Sequence, residues 1–433
     1  MDKIMETGPF KDLRGLPYYD EPITYLALAG RIFAWEFDGW KKESLSWKNG
    51  CYIHAGLSSL PTIRFTGRDA VPFFESISTN SFAKFSIGAM KHAVMCNEQG
   101  LIAAHGVLQR DQEDVLTFFA AGPWPIYQLA KSGFDVKRAM VDISIFQVAG
   151  PTSLATLERA AGEELSDIRF LRYRHATIGG KQVEIARLGM SGNLAYEVRV
   201  PVSDGPEVYD AIFRAGQDHG IQRLGWRTYL VNHIEGGFPQ QNWTFRPADL
   251  EDQGYRDFVG NRDFPAHISG SVDPADMRAR YRSPFEVNWQ STTKFDHEFI
   301  GRKALEAEAA NPRRTAVTLR WHPEDVLDIH ASLLKPGEPY KTLDLPSSPT
   351  WKEGVLGHAD HLLKDGRPIG YSSGTVYSYH YREVLSMGCI DIDEARIGNE
   401  VTVMWGDHGS RIKPVRAVVE RYPYLTEDRN DAI

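Results

Sequence analysis

Two stretches decide how the chain is read: VEIARLGMSGNLAYEVRVP at residues 183–201 and GWRTYLVNHIEGGFPQQNW at residues 225–243. In the first, Val183, Ile185 and Leu188 precede a small-residue turn, Gly189-Met190-Ser191-Gly192-Asn193, and Tyr196, Val198 and Val200 alternate after it. Period-2 alternation on both sides of such a turn predicts two antiparallel strands. Glu197 stands inside the second strand, where an apolar residue is usual. It reads either as a solvent-facing glutamate or as a carboxylate aimed at a ring that offers N–H donors, because an ionised carboxylate accepts two hydrogen bonds side by side. In the second stretch, Arg227, Tyr229, His233 and Glu235 follow at short spacings. Gly225 opens that segment and Gly236-Gly237 closes it, as for a helix or an irregular coil ended by glycine.

Working outward, the 433 residues suffice for two or three domains. Apolar content is 42%, aromatic content 11%, and the formal net charge is -8. That balance lacks the basic footprint of a nucleic-acid protein. No run of about 18 apolar residues occurs, so no membrane span is expected. The start, MDKIMETGPFKDLRG, is charged and without an apolar signal core. Cys51, Cys96 and Cys389 form neither a metal-ligand pair nor a disulfide framework. The expectation is a cytoplasmic protein with no metal.

Along the chain, residues 17–50 are rich in aromatics that fit a core or a flat pocket. Cys51 to His54 reads as a strand or the start of a buried turn, Pro61 to Gly67 as a strand, and Asp69 as the cap of the helix AVPFFESI. Cys96 to Gly100 reads as a hairpin turn, with His105 in its second strand just before Gly106. His105 is either a core histidine or a proton acceptor or donor facing the same pocket as Tyr229. Strands are expected at Leu116–Ala120 and Ile143–Gly150, and helices at Ile126–Ser132, Pro151–Ala161 and Val208–Gly220. Strand pairs alternating with helices make an α+β layout, not a run of βαβ units. Neither a Walker-A sequence nor a G-x-G-x-x-G after a strand occurs. Residues 244–295 read as long loops over the core, a lid or an oligomer contact. A helix follows to about Ala310 and breaks at Asn311-Pro312. Strands at Arg314–Arg320, Pro368–Ser373, Leu385–Ile392 and Glu400–Trp405 predict a small β barrel or sandwich. The expected division is residues 1–310, as two interleaved subdomains, and residues 311–433.

Several segments resemble the aminomethyltransferase (glycine-cleavage T-protein) superfamily. They are Asn97 to Gly100, Gly189 to Glu197, Gly225 to Gly237, Phe299 to Leu305 and the Ser-Gly turn within Gly370 to Ser378. Within it, the chain resembles the tetrahydrofolate-dependent aromatic O-demethylases of the vanillate and syringate branch. KFDHEFIGRKALEA at 294–307, Tyr229 in GWRTY, Glu235-Gly236-Gly237 and VTVMWGDHG at 401–409 carry that likeness, which runs from about residue 45 to 420. The resemblance implies an α+β, aminomethyltransferase-like folate-binding region with a C-terminal β barrel, and tetrahydrofolate as cofactor.

It also implies roles. Tyr229 would protonate the ether oxygen of a methoxylated, lignin-derived aromatic while tetrahydrofolate accepts the methyl group. Glu197 would hold the pterin edge, with Phe238 or Trp243 packed beside it. Arg227 would orient Tyr229, meet the folate's acidic tail, or serve the structure alone. Two departures stand out. His105 occupies the place where relatives carry an acid, and Ala120-Ala121-Gly122 the place of a carboxylate-binding arginine in the vanillate demethylase. They favour a second reading, a formaldehyde-releasing lyase acting on a hydroxymethyl group of an aromatic dimer, with His105 as base; a third is a folate-binding or assembly protein without turnover, against which Tyr229 and His105 weigh. A small aromatic substrate is the expected partner, and a homo-oligomer is allowed.

Overall fold

The computed structural model describes residues 22–28, 31–119, 122–190, 192–260, 269–345 and 358–426. Its strands and helices, in chain order, begin with β1 (Thr24–Leu28), β2 (Arg31–Glu36), α1 (Trp40–Glu43), α2 (Ser46–Asn49) and β3 (Cys51–His54). There follow β4 (Thr62–Thr66), α3 (Ala70–Ile77), β5 (Met90–Cys96), β6 (Ile102–Gln112), β7 (Val115–Phe119), α4 (Trp124–Lys131) and β8 (Lys137–Met140). Next come β9 (Ile143–Ala149), α5 (Ser153–Ala161), β10 (Tyr173–Ile178), β11 (Lys181–Arg187), β12 (Ala195–Pro201), α6 (Gly205–Ala215) and β13 (Ile221–Arg223). Then come α7 (Trp226–Gly236), α8 (Gln253–Val259), α9 (Arg302–Ala310), β14 (Arg314–Trp321) and α10 (Pro323–Ser332). The last strands are β15 (Asp360–Lys364), β16 (Arg367–Ser378), β17 (Glu383–Asp391), β18 (Glu400–Trp405) and β19 (Lys413–Glu420).

Three sheets surround α7. The first runs β5-β6-β7-β4-β8 and the second β10-β11-β12-β9-β3-β13, in which β13 lies parallel to β3. The third is a closed barrel, β14-β17-β16-β15-β18-β19. Each has an apolar filling of its own. Phe65, Phe73, Phe74 and Phe118 pack α3 on the first sheet. Phe146, Val148, Tyr196, Val198 and Val200 pack α5 and α6 on the second. Leu319, Leu362, Val403 and Val419 fill the barrel. A fourth cluster lies where the three meet, and it joins Tyr52, Val94, Ile145, Tyr229, Ile234, Trp289, Val376 and Met387. Period-2 alternation therefore sorts β12 between two cores rather than between core and water: every residue from Ala195 to Val200 is buried.

The α+β class with a C-terminal barrel stands as expected, and the barrel is closed rather than a sandwich. Strands β15 and β19 and helix α10 carry no counterpart in the sequence reading. The described residues within 244–295 are mainly irregular, with α8 and short 3-10 turns among them. Asp69 stands at the N-cap of α3 but bonds no helix amide; its carboxylate accepts Asp135 N–H at 2.9 Å instead. Among the described residues no helix is long and apolar enough to cross a membrane.

Candidate active site around helix α7

The second sheet spends one face on α5 and α6, and that face is apolar. Its other face, turned to the centre, carries a polar row. Glu197 on β12 lies opposite Gln147 on β9, which lies opposite His54 on β3. Tyr52 and Arg199, each two residues along its own strand, share the face by the same periodicity. All five are buried.

Helix α7 covers this row. Its start is fixed by Glu43, at the end of α1. The Glu43 carboxylate accepts the N–H of Phe37 at 2.7 Å, the N–H of Gly225 at 2.8 Å and the Thr228 hydroxyl at 3.0 Å. An acid at a helix N-terminus meets amides that have no partner inside the helix. Burial pushes the Glu43 carboxyl above its ordinary range, and these donors pull it back. Gly237, in the left-handed region, ends the helix. Between these ends Tyr229, Asn232 and His233 face the centre. Tyr229 stacks on His54 with ring centroids 4.0 Å apart and 12° between planes, and Trp226 stands edge-on to both. Gly56 is required beside them, because a Cβ there would come within 2.5 Å of His54 Nε2 and Trp226 Nε1.

Within this cluster several polar atoms lack a hydrogen-bond partner among the described residues. The Tyr52 hydroxyl reaches Gln147 Oε1 at 3.1 Å and Asn232 Oδ1 at 3.0 Å. His54 Nδ1 lies 2.9 Å from Leu224 O, and His233 Nδ1 2.8 Å from Tyr229 O. A carbonyl can only accept, so each Nδ1 carries the proton and each Nε2 is left as an acceptor. His54 Nε2, His233 Nε2, Gln147 Nε2, Asn232 Nδ2 and the Tyr229 hydroxyl are buried with no partner among the described residues. An unmade bond at a buried polar atom costs about 1–3 kcal/mol, and five of them in one cluster make it the candidate site. Burial lowers His54 and His233 to about 4, which keeps both neutral at pH 7. Burial, with Tyr52 and Glu197 nearby, raises Tyr229 well above an ordinary phenol. Its hydroxyl stays protonated and able to donate.

Glu197 is 5% exposed, so it is not a solvent-facing glutamate. Arg199 Nη2 donates to its Oε2 at 2.7 Å, and Arg199 is itself held by Gln109 and Glu184 and stacked over Phe119. That leaves Glu197 Oε1 open. Phe238 follows the end of α7 and touches His233, His92, His105 and Trp289. His105 pairs with His92 at 3.2 Å, and burial holds both below the ordinary imidazole value, His92 at about 4. His105 is connected to Tyr229 through Phe238 and His233, not by a ring contact of its own. Trp243 is buried in the same central core. Arg227 does not join the cluster. It pairs with Glu36 at 2.5 Å, donates to Leu345 O and lies over Trp40. Ala120 and Ala121 lie outside the described residues. Tyr52, His54, Gln147 and Asn232 were missed by the sequence reading. Gln147, a polar residue inside the apolar strand ISIFQVA, carried the same signal as Glu197. Among the described residues, no group of three or more His, Cys, Asp or Glu is placed to hold a metal ion.

Residues 17–246 match the model of the GCVT N-terminal domain. The chain is 39% identical over 414 residues to a sesamin methylene transferase from Sinomonas sp., covering 92% of this chain and 91% of that protein. It is 28% identical over 418 residues to a syringate O-demethylase from Sphingobium sp., covering 90% and 89%. In structure it follows the glycine cleavage system aminomethyltransferase T from Bartonella henselae, with a TM-score of 0.69 over 97% of this chain and 98% of that one, at 17% identity, which shows a shared fold. The chain belongs to the GCVT aminomethyltransferase family, whose cofactor is tetrahydrofolate.

Proposed function

We propose that the chain transfers a one-carbon unit from an aromatic ether to tetrahydrofolate, with Tyr229 as the proton donor to the departing aryl oxygen. The observation that carries this is the Tyr229 hydroxyl: buried, protonated, without a partner among the described residues, and set among four other polar atoms that also lack one there. A ligand with both donors and acceptors on a flat ring fits that set, and a pterin is such a ligand. Glu197 Oε1 and the bare Nε2 atoms of His54 and His233 offer acceptors to its N–H groups. Gln147 Nε2 and Asn232 Nδ2 offer donors to its carbonyl and ring nitrogens. When bound, the folate supplies the nitrogens that take up the carbon.

The chain's own part is positioning and proton supply. An aryl oxide is a poor leaving group, and a proton from Tyr229 avoids releasing it as an anion. His54, stacked on the Tyr229 ring, and His233, one turn further on, hold that ring in place. Phe238, Trp289 and Trp243 give the apolar walls that an aromatic donor needs, and they exclude water.

The carbon's origin admits two readings. A methylene bridge between two aromatic oxygens is the preferred one, because the relative at 39% identity is named a methylene transferase. The bridge carbon would leave both oxygens, and two N–H protons of the folate balance the two new phenol O–H groups. A methoxy carbon is the second, supported by the relative named an O-demethylase. The test is mass spectrometry of products from a methylenedioxyphenyl compound labelled at the bridge and from labelled syringate, with tetrahydrofolate present or omitted. Label is expected in 5,10-methylenetetrahydrofolate beside a catechol in the first case. Label in 5-methyltetrahydrofolate from syringate alone would favour the methoxy reading. Formaldehyde released from either donor without folate would overturn both.

A further inference from the structure

Arg199 grips the Glu197 carboxylate by one oxygen only. The two residues lie two apart on β12 and share a face of the second sheet. Arg199 Nη2 and Nε both donate to Glu197 Oε2, at 2.7 and 3.2 Å. A guanidinium forked over both oxygens of a carboxylate is a common arrangement, and it would occupy Oε1 as well. Here the other edge of the guanidinium is tied elsewhere. Nη1 donates to Gln109 Oε1 at 2.7 Å and to Glu184 Oε1 at 2.9 Å. The group lies flat over Phe119, with Cζ 3.7 Å from the ring centre.

These ties come from two sheets. Glu184 on β11 is the cross-strand partner of Arg199 in the second sheet. Gln109 on β6 and Phe119 on β7 belong to the first. Gln109 is itself fixed, since its Nε2 donates to Asp111 Oδ1 at 2.8 Å and to Glu184 Oε2 at 3.0 Å. Arg199, Glu197 and Gln109 are all buried. Burial works against the Arg199 charge, but Glu197 and Glu184 outweigh it and hold the guanidinium above its ordinary value. A lysine could not do the same, because a single ammonium lacks the planar fork that reaches Glu197 on one side and Gln109 on the other.

We propose that Arg199 is a positioning residue for the folate: it holds Glu197 with Oε1 free for the pterin's N–H groups, and Gln109 fixes Arg199 in that pose from the first sheet. The proposal rests on the reading of Glu197 as the pterin's acceptor. It gives the first sheet, which supplies none of the five open polar atoms, a part in folate binding. A buried ion pair serving stability alone has no need to leave one carboxylate oxygen open.

The test is a double-mutant cycle on the full chain, read as tetrahydrofolate affinity by calorimetric titration. Arg199→Met is expected to weaken binding roughly 3- to 100-fold, within the span of coupling energies in one hydrogen-bonded network. In a Glu197→Ala background the same change should weaken it no further, because the carboxylate it positions is gone. Equal losses in both backgrounds would make Arg199 a structural residue and overturn the proposal. Should Arg199→Met fail to fold, Gln109→Met takes its place in the cycle; it leaves Arg199 and both of its carboxylates present, and the same pattern is expected. Full affinity in the substituted position-199 or position-109 protein, with Glu197→Ala weakened, would overturn the proposal and leave the folate reading standing. Unchanged affinity in Glu197→Ala alone would remove that reading of Glu197, and the proposal with it.

Discussion

Tyr229 combines two properties that rarely meet: full burial and a hydroxyl with no partner among the described residues. This makes the effect of its removal unusual. Tyr229→Phe keeps the stack on His54 and deletes an unsatisfied group. Turnover is expected to fall about 10²–10⁴-fold, while stability stays level or rises slightly. Steady-state rates and urea unfolding of the same preparation check both halves, and a clear loss of stability would mean that the hydroxyl has a structural partner. Glu197 makes the second prediction at this scale. Glu197→Gln should weaken tetrahydrofolate binding by about 1–3 kcal/mol, the range for a lost charged hydrogen bond. Calorimetric titration would show it, and equal affinities would remove Glu197 from the binding site. Both residues stood out in the sequence, one as a carboxylate inside an apolar strand and one inside a glycine-bounded segment. Arg227 stood out equally and faces away. Two residues apart on an α-helix point about 200° apart, so Arg227 and Tyr229 could not share a pocket once the segment was helical.

At the scale of elements, α7 is held at both ends by buried acids. Glu43 secures its start. At the far end the Trp47 indole donates to Glu235 Oε2 at 3.0 Å, and the Ser378 hydroxyl of β16 donates to Oε1 at 2.5 Å. Glu43→Ala would leave the Gly225 and Phe37 amides without their acceptor. A loss of about 2–4 kcal/mol is expected from urea unfolding, together with reduced turnover, because Tyr229 lies one turn inside the helix. A cost below about 1 kcal/mol would show that water replaces the carboxylate. The sequence offered little warning of this. Glu43 lies in the charged run KKESLSWK, and nothing local marks its carboxylate for burial. Its burial follows from the return of Gly225 to within hydrogen-bond reach, 182 residues later.

For the molecule as a whole, pH is the informative variable. His54, His92 and His233 titrate in the folded state at about 4, and His358 in the barrel at about 3, each depressed by burial from 6.5. Below pH 6.5 the unfolded chain takes up protons that the folded chain refuses, so these four weaken folding as pH falls from 6.5 toward 4. Asp360 and Asp249 work in the opposite sense. Burial raises them to about 7 and about 6, so between 3.8 and those values the folded chain holds the proton and acidification favours it. The histidines are expected to prevail, with a net loss on the order of 3 kcal/mol between pH 7 and pH 5. Asp360→Asn should steepen that loss. Unfolding at the two pH values tests this, and a stability that rises on acidification would reverse the assignment. We propose the chain division near residue 310 as a boundary of topology. The central core crosses it, since Ala316, Val376, Leu385 and Met387 pack with Tyr229 and Ile234.

The sequence by itself determined what depends on neighbours in the chain: the hairpin at 183–201, the glycine bounds of the segment 225–237 (though not its helical form), most barrel strands, and the motifs that carry the family resemblance. Alternation and capping are local, and local signals survive without a fold. The tertiary structure alone decided which polar residues meet. Glu197, Gln147 and His54 lie on three strands far apart in sequence, and strand register sets them in one row. Whether a buried atom has a partner depends on every element packed around it. Tyr229 is thus left open at the centre, while Arg227, two residues before it, is closed in an ion pair with Glu36.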